Sequence, residues 1–264
     1  MPLVPYSNLA LRSWFVVSPD LPSIDAHAHI ATDVTASQVK RLGGSIIFAV
    51  TRSLSESLSV PHGCYPHLVW GLGVHPRDRE ALESFDAEWF ERLLPRFALV
   101  GEVGLDRKAA RFDLQKEVLS QILERLADEP VMTSLHSSGA IVDVLDALEE
   151  HAIRLPILHW FSGTGADVRR AVEMQAWFSV NAAMSADIVA SLPSDRVLTE
   201  TDFPYTRRVG AKRPGDSPVI ERQLSDAWQC SIADVRGRLW SNLRTAVAVA
   251  ENADRLPPQV RAFI

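Results

Sequence analysis

Short apolar runs alternate with segments of helical period along most of the chain. The runs cover residues 23–30, 45–50, 68–74, 98–105, 130–135, 155–160, 177–180 and 196–199. They are short, rich in β-branched and other apolar residues, and not strictly alternating. Strands buried on both faces read this way. The segment 85–97 carries Phe85, Trp89, Phe90, Leu93, Leu94 and Phe97, a stripe at i, i+3/i+4 spacing. Residues 113–127, 140–152, 166–174 and 185–192 repeat that period. Eight strands alternating with helices suggest a closed parallel barrel or a doubly wound sheet. The count of eight and the length of 264 residues favour an α/β fold of the TIM-type (β/α)8 barrel class. The Ser-rich stretch 51–66 predicts a stunted second helix.

Two helices, 219–229 and 232–250, close the chain. Ser231 caps the second, with Asp234 three residues on as a capping box. The expected organisation is one domain over residues 23–264. An extension of residues 1–22, with no clear period, is expected to pack across the barrel.

Composition narrows the class. Hydrophobic residues at 47% and charged residues at 23% exclude a disordered or low-complexity chain. Two distant cysteines, Cys64 and Cys230, argue against a disulfide scaffold or a thiolate-built zinc site, and suit a reducing compartment. No apolar run approaches the ~18 residues of a membrane span, and no secretory leader pattern is present. A cytoplasmic protein with no membrane contact is expected. The net charge of −6 argues against a broad nucleic-acid-binding surface but leaves room for a locally basic site.

Polar residues then fall where they are least expected. The first strand reads Ile24-Asp25-Ala26-His27-Ala28-His29-Ile30, and alternation places Asp25, His27 and His29 on one face. Ionisable groups on a buried strand are costly unless something charged binds them. Taken alone, the two histidines read equally well as hydrogen-bonded core residues. However, Glu102 lies at the end of the fourth strand, His136 ends the fifth, His159 the sixth, and Glu200 and Asp202 the eighth. In a (β/α)8 barrel these strand ends converge on the face where active sites are built. Histidine and carboxylate without thiolate suit zinc, manganese, iron or magnesium. Six ligands (His27, His29, Glu102, His136, His159 and Asp202) are too many for one catalytic ion. A bridged pair fits better, and such pairs clamp the attacking and leaving oxygens of a phosphate ester.

In order along the chain stand Asp25-Ala26-His27-Ala28-His29, Gly73-Val74-His75-Pro76, Gly101-Glu102-Val103-Gly104-Leu105-Asp106, Phe112-x-x-Gln115, His136-Ser137, His159-Trp160-Phe161-Ser162-Gly163 and Glu200-Thr201-Asp202-Phe203-Pro204-Tyr205. From about Ile24 to about Asn242 the chain resembles the TatD family of metal-dependent deoxyribonucleases, within the amidohydrolase-like barrels. The resemblance implies two divalent ions, Mg, Mn or Zn. It gives one to His27, His29 and Asp202, the other to His136 and His159, with Glu102 as the bridge. Asp202 would also take a proton from the attacking water. His75 and Glu200 would line the site, positioning phosphate or orienting ligands. A turn residue before Pro76 is the other reading of His75, and a partner behind the ligands the other reading of Glu200.

Basic residues follow the strand ends: Arg77, Arg79, Arg107, Lys108, Arg111, Arg207, Arg208, Lys212 and Arg213. They are expected to ring the mouth, with Arg77, Arg107, Arg207 and Arg208 meeting substrate phosphates and Tyr205 stacking on bases. Ordinary solvated arginines are the alternative. The expected reaction is hydrolysis of phosphodiester bonds, of single-stranded DNA from the 3′ end. Two positions depart from the family pattern. Ser138 stands where the family commonly has arginine, and Pro214-Gly215-Asp216-Ser217-Pro218 replaces an Arg-Asn-x-Pro segment. Both are expected at substrate contacts, which leaves open a small phosphoester, lactone or amide as substrate. The stretch from His159 to Tyr205 is also similar to the TatD-like nucleases of Qat anti-phage defence systems. That likeness implies companion proteins, a QueC-like enzyme and an ATPase, and with them the further reading of a largely structural subunit.

Overall fold

The computed structural model describes residues 21–264. The expected extension over 1–22 lies outside the described residues apart from Leu21 and Pro22. Eight parallel strands form one sheet in sequence order: β1 (Ile24–His29), β2 (Ile46–Val50), β3 (Leu68–Leu72), β4 (Leu99–Gly104), β5 (Met132–His136), β6 (Leu155–His159), β7 (Trp177–Val180) and β8 (Val197–Thr199). Each falls inside or within a residue of an apolar run of the sequence. The sheet closes just beyond β8. There Asp202 N–H donates to the His27 carbonyl and His29 N–H to the Phe203 carbonyl, both at 2.9 Å. The fold is a (β/α)8 barrel.

The outer helices bury the stripes that the periodicity marked. Phe112–Leu126 buries Val118, Leu119, Ile122, Leu123 and Leu126. The closing helix Ile232–Ala250 begins at the Ser231–Asp234 capping box and buries Leu239, Trp240, Leu243 and Ala246. It also holds the chain before β1, since Trp240 Nε1–H donates to the Pro22 carbonyl at 2.8 Å and Arg236 to that of Leu21 at 2.6 Å. The helix expected over 85–97 is instead a helix Ala87–Leu93 followed by a 3-10 turn Leu94–Arg96. Pro95 explains the break, since it lacks an N–H and its ring crowds the carbonyl four residues back. The second helix is stunted as expected, Leu54–Leu58. Three short helices, Ala36–Lys40, Arg79–Glu83 and Pro258–Arg261, carry too few turns to show a period in the sequence.

Two strands depart from regular pairing, and both carry site residues. On β1, Asp25 lies beside Ile47 but His29 beside Val50, so four steps on β1 match three on β2. Paired neighbours in a parallel sheet share a face, and Ile47 and Val50 face opposite ways. The bulge therefore turns Asp25 away from His29, against the face-sharing that alternation predicted. The same slip on β4, between Val100 and Val103, surrounds Glu102. Among the described residues no helix is long and apolar enough to cross a membrane.

Candidate metal centre

Glu102 sits almost fully buried at the C-terminal end of the barrel, with five imidazoles around its carboxylate. Its Oε1 meets His136 Nδ1 in a short contact and lies 2.9 Å from His159 Nε2. Its Oε2 lies 3.1 Å from His29 Nε2, 3.2 Å from His75 Nε2 and 3.5 Å from His27 Nε2. Asp202 Oδ1 is 3.8 Å from both His27 Nε2 and His29 Nε2. Among the described residues four overlapping groups could hold a metal ion, including His27 with His29 and Asp202, and Glu102 with His136 and His159. Glu102 Oε2 faces the first of these two and Oε1 the second.

The backbone is arranged to bring these atoms together. Gly104 has φ +140°, and a Cβ there would overlap the His136 carbonyl and lie 2.7 Å from its nitrogen. Only glycine lets β4 pass so close to the residue that carries the ligand. Trp160 (φ +41°), directly after β6, and Asp202 (φ +43°), three residues past the end of β8, take left-handed conformations that cost on the order of 1–3 kcal/mol for such residues. Both are tied in place: Trp160 N–H donates to Glu200 Oε1 at 3.0 Å and Asp202 N–H to the His27 carbonyl.

The donor set fits divalent ions. His27 Nε2, His29 Nε2 and Glu102 Oε2 are buried without a hydrogen-bond partner. Such atoms are costly unless a ligand satisfies them. His27 Nδ1 is held by Ser134 Oγ at 2.7 Å, which aims the other nitrogen into the cluster. Burial pushes the His27 ring down to about pH 4, and the charge of His159 acts the same way, so the ring is neutral and able to ligate. Burial opposes ionisation of Glu102, but the charges of His75, His159 and His136 outweigh it and hold the carboxyl well below its usual range. Burial and the nearby Glu102, Glu200 and Asp25 push Asp202 well up, against His159.

The cluster forms the floor of a cleft of about 430 Å³. The walls include His75, Arg77, Asp106, Lys108, Ser137, Ser138, Ser162, Trp160 and Tyr205. His75 Nδ1 accepts the Arg77 N–H at 3.0 Å, which turns its Nε2 toward Glu102.

The sequence pattern of the family described as "TatD related DNase" matches residues 24–248. The chain belongs to the TatD family. An uncharacterized metal-dependent hydrolase of Bacillus subtilis (YabD) is 25% identical over 206 residues, covering 73% of this chain and 78% of its own. A 3′-5′ ssDNA/RNA exonuclease TatD of Edwardsiella piscicida is 28% identical over 212 residues, covering 71% and 75%. The crystal structure of a TatD homologue from Escherichia coli K12 (YJJV) shares the fold at a TM-score of 0.75, with 21% identity over 85% of this chain and 97% of that one. The protein is thus a metal-dependent hydrolase of the TatD type.

Glu200 is fully buried behind His159 and does not line the cleft. Its oxygens accept from Ser179 Oγ, Asn181 Nδ2 at 2.9 Å and Trp160 N–H, and Oε1 lies 3.6 Å from His159 Nδ1. The basic ring contracts. Arg77 and Lys108 reach the cleft, whereas Arg107 turns outward to a two-pronged contact with Asp143, at 2.6 and 2.8 Å, and stacks over Phe112. Arg79 and Arg111 both pair with Glu83. Arg207 and Arg208 are exposed on the 3-10 turn Tyr205–Arg208, outside the cleft walls. The 214–218 segment does not reach the cleft either. Gly215 N–H donates to Asp25 Oδ2 at 2.7 Å and Ser217 Oγ to the Ile24 carbonyl, so it anchors β1 from outside. Ser138 does line the cleft. Asp106, at the end of the Gly-Leu-Asp motif, is a site residue that the sequence reading passed over. Its Oδ2 lies 3.1 Å from His136 Nε2.

Proposed function

We propose that this TatD-family hydrolase is a two-metal deoxyribonuclease that cuts single-stranded DNA from its 3′ end. The observation that carries the reading is the division of the Glu102 carboxylate, one oxygen toward each of two ligand clusters. His27, His29 and Asp202 would hold one ion, and His136 and His159 the other, with Glu102 between them. Bound there, divalent ions lower the pKa of a water toward neutrality and offset charge on the phosphate. The chain supplies the rest. Asp202, whose Oδ1 lies 3.8 Å from His27 Nε2 and His29 Nε2, takes the proton the attacking water gives up. His75 presents its Nε2–H as a donor beside Glu102 Oε2. Arg77, Lys108 and the hydroxyls of Ser137, Ser138 and Ser162 offer the phosphate positive charge and hydrogen bonds. Trp160 and Tyr205 present aromatic faces at the cleft, where base stacking is worth ~1–3 kcal/mol per base. The name of the Edwardsiella piscicida relative, an ssDNA/RNA exonuclease, supports both the polarity and the strand preference.

One observation favours a second reading, hydrolysis of a small phosphoester. Ser138 stands in the cleft wall where the family commonly has arginine, and among the described residues Arg77 and Lys108 are the basic ones there. A place beside companion proteins of a Qat system, in the cytoplasm, rests on the likeness over His159–Tyr205 and on two unpaired cysteines. The deciding assay is cleavage of an end-labelled single-stranded oligonucleotide with Mg²⁺ or Mn²⁺, with Asp202→Asn alongside. Metal-dependent loss of 3′ nucleotides by the wild type alone supports the nuclease. Turnover of a small aryl phosphoester with no cutting transfers the site to the second reading. Neither activity in the isolated chain, with both restored by copurifying proteins, would favour the defence assembly.

A further inference from the structure

The Gly-Leu-Asp end of β4 and the Phe112-x-x-Gln115 motif have no role in the chemistry above, yet the structure joins them at a metal ligand. Asp106 is 1% exposed, and Arg77 Nε stands 3.8 Å from its Oδ2. Its Oδ1 accepts the Lys108 N–H at 2.8 Å, and its Oδ2 faces His136 Nε2 at 3.1 Å. Gln115, fully buried, clamps the same residue from behind. Its Oε1 accepts the Asp106 N–H at 2.8 Å, while its Nε2 donates to the carbonyls of Asp106 (3.2 Å) and Ala110 (3.0 Å). Every polar group of Asp106 is thereby engaged, and its Oδ2 faces one ring nitrogen of His136.

We propose that Asp106 is a positioning residue for the second ion: its Oδ2 accepts the Nε2–H of His136 and so presents Nδ1, the nitrogen beside Glu102, as the ligand atom. The other three histidine ligands turn Nε2 toward the carboxylates, so His136 is the odd one, and Asp106 accounts for the difference. A carboxylate behind a ligating imidazole fixes both its tautomer and its basicity, and its loss typically lowers metal affinity 10–100-fold. Gln115 acts one layer further out, by holding the Asp106 backbone. The inference rests on the two-ion reading of the site.

The test uses equilibrium dialysis of the full chain against Zn²⁺, with metal counted per chain, and histidine ¹⁵N spectra of the Zn²⁺-loaded protein. Asp106→Ala is expected to weaken one of two bound ions about 10–100-fold and to leave the other unchanged. Its His136 spectrum is expected to lose the single Nε2-protonated form of the wild type. In Asp106→Asn the single amide oxygen can take the place that faces His136 Nε2–H, which leaves the amide nitrogen opposite the Lys108 N–H. This variant is expected to retain that form, with a smaller loss of affinity. Unchanged ion binding and an unchanged His136 spectrum in Asp106→Ala would overturn the proposal. Loss of both ions together with the fold in both variants would make Asp106 merely structural and overturn it as well. A wild type that binds one ion would refute the two-ion reading separately. Asp106 would then stand or fall on whether Asp106→Ala weakens that one ion.

Discussion

Replacing Glu200 by glutamine separates its structural role from its electrostatic one. Glu200 is fully buried, and although burial opposes ionisation, the neighbouring charges and hydrogen bonds, that of His159 foremost, together hold its carboxyl below the usual range. Its Oε1 accepts from Asn181 and Trp160, and its Oε2 from Ser179. Glutamine has the same shape. Its oxygen can take the Oε1 place and keep both bonds, while its amide nitrogen takes the Oε2 place and the Ser179 hydroxyl turns to accept. The Ser179 hydrogen loses its acceptor, so the loss is that stranded donor, about 1–3 kcal/mol, on top of the difference between charge-assisted and neutral bonds. Alanine instead strands three buried donors at about 1–3 kcal/mol each. That is a large share of the ~5–15 kcal/mol that holds a domain folded. What glutamine does remove is the negative charge 3.6 Å from His159 Nδ1. A 10–100-fold fall in affinity for one ion is the expected consequence. Urea unfolding in EDTA reads the first quantity, and metal dialysis with turnover at limiting Mn²⁺ reads the second. A Glu200→Gln protein that binds metal and turns over like the wild type would refute the role assigned to this carboxylate. One that fails to fold would refute the hydrogen-bond argument.

Three further outcomes are expected. Gly104→Ala should lower the melting temperature and abolish turnover together, because its Cβ and its φ of +140° both push β4 from the His136 backbone; a soluble variant of normal activity would contradict this. Burial pushes Asp25 up to about pH 6 from 3.8, so in EDTA its contribution to stability is fully present below pH ~4 and is lost as pH rises through about 6. The change is about 3 kcal/mol. The advantage of the wild type over Asp25→Asn in urea should shrink by that order between pH 4 and 7, and a constant difference would contradict the shift. Arg77→Ala should raise KM about tenfold with kcat little changed, as for loss of one charge-assisted phosphate contact, whereas Arg107→Ala should stay within about twofold of the wild type. Equal effects would mean that Arg107 leaves Asp143 to meet the substrate.

The barrel was legible because its strands are buried on both faces and so read as apolar runs, with ionisable residues few and mostly toward their C-terminal ends. Glu102, His136, His159 and Asp202 stand out for that reason, and the structure gathers them around one carboxylate. The bulge on β1 was not legible. Nothing in Asp25-Ala26-His27 marks an inserted residue, so alternation put Asp25 with the histidines when it faces Thr201 and Gly215. Arginine direction was hidden for a different reason. Arg107 and Lys108 are adjacent in sequence, and Asp143, which draws Arg107 outward, lies 36 residues away. Asp106 was missed because a carboxylate next to Arg107 and Lys108 reads as a solvated loop charge. Its burial depends on Gln115, one helical turn into the helix that follows.

Anomalous diffraction from crystals grown with Mn²⁺ tests the arrangement most directly. The account predicts two peaks flanking Glu102, one against His27, His29 and Asp202 and the other against His136 and His159. A single peak, or a pair that Glu102 does not bridge, would contradict it.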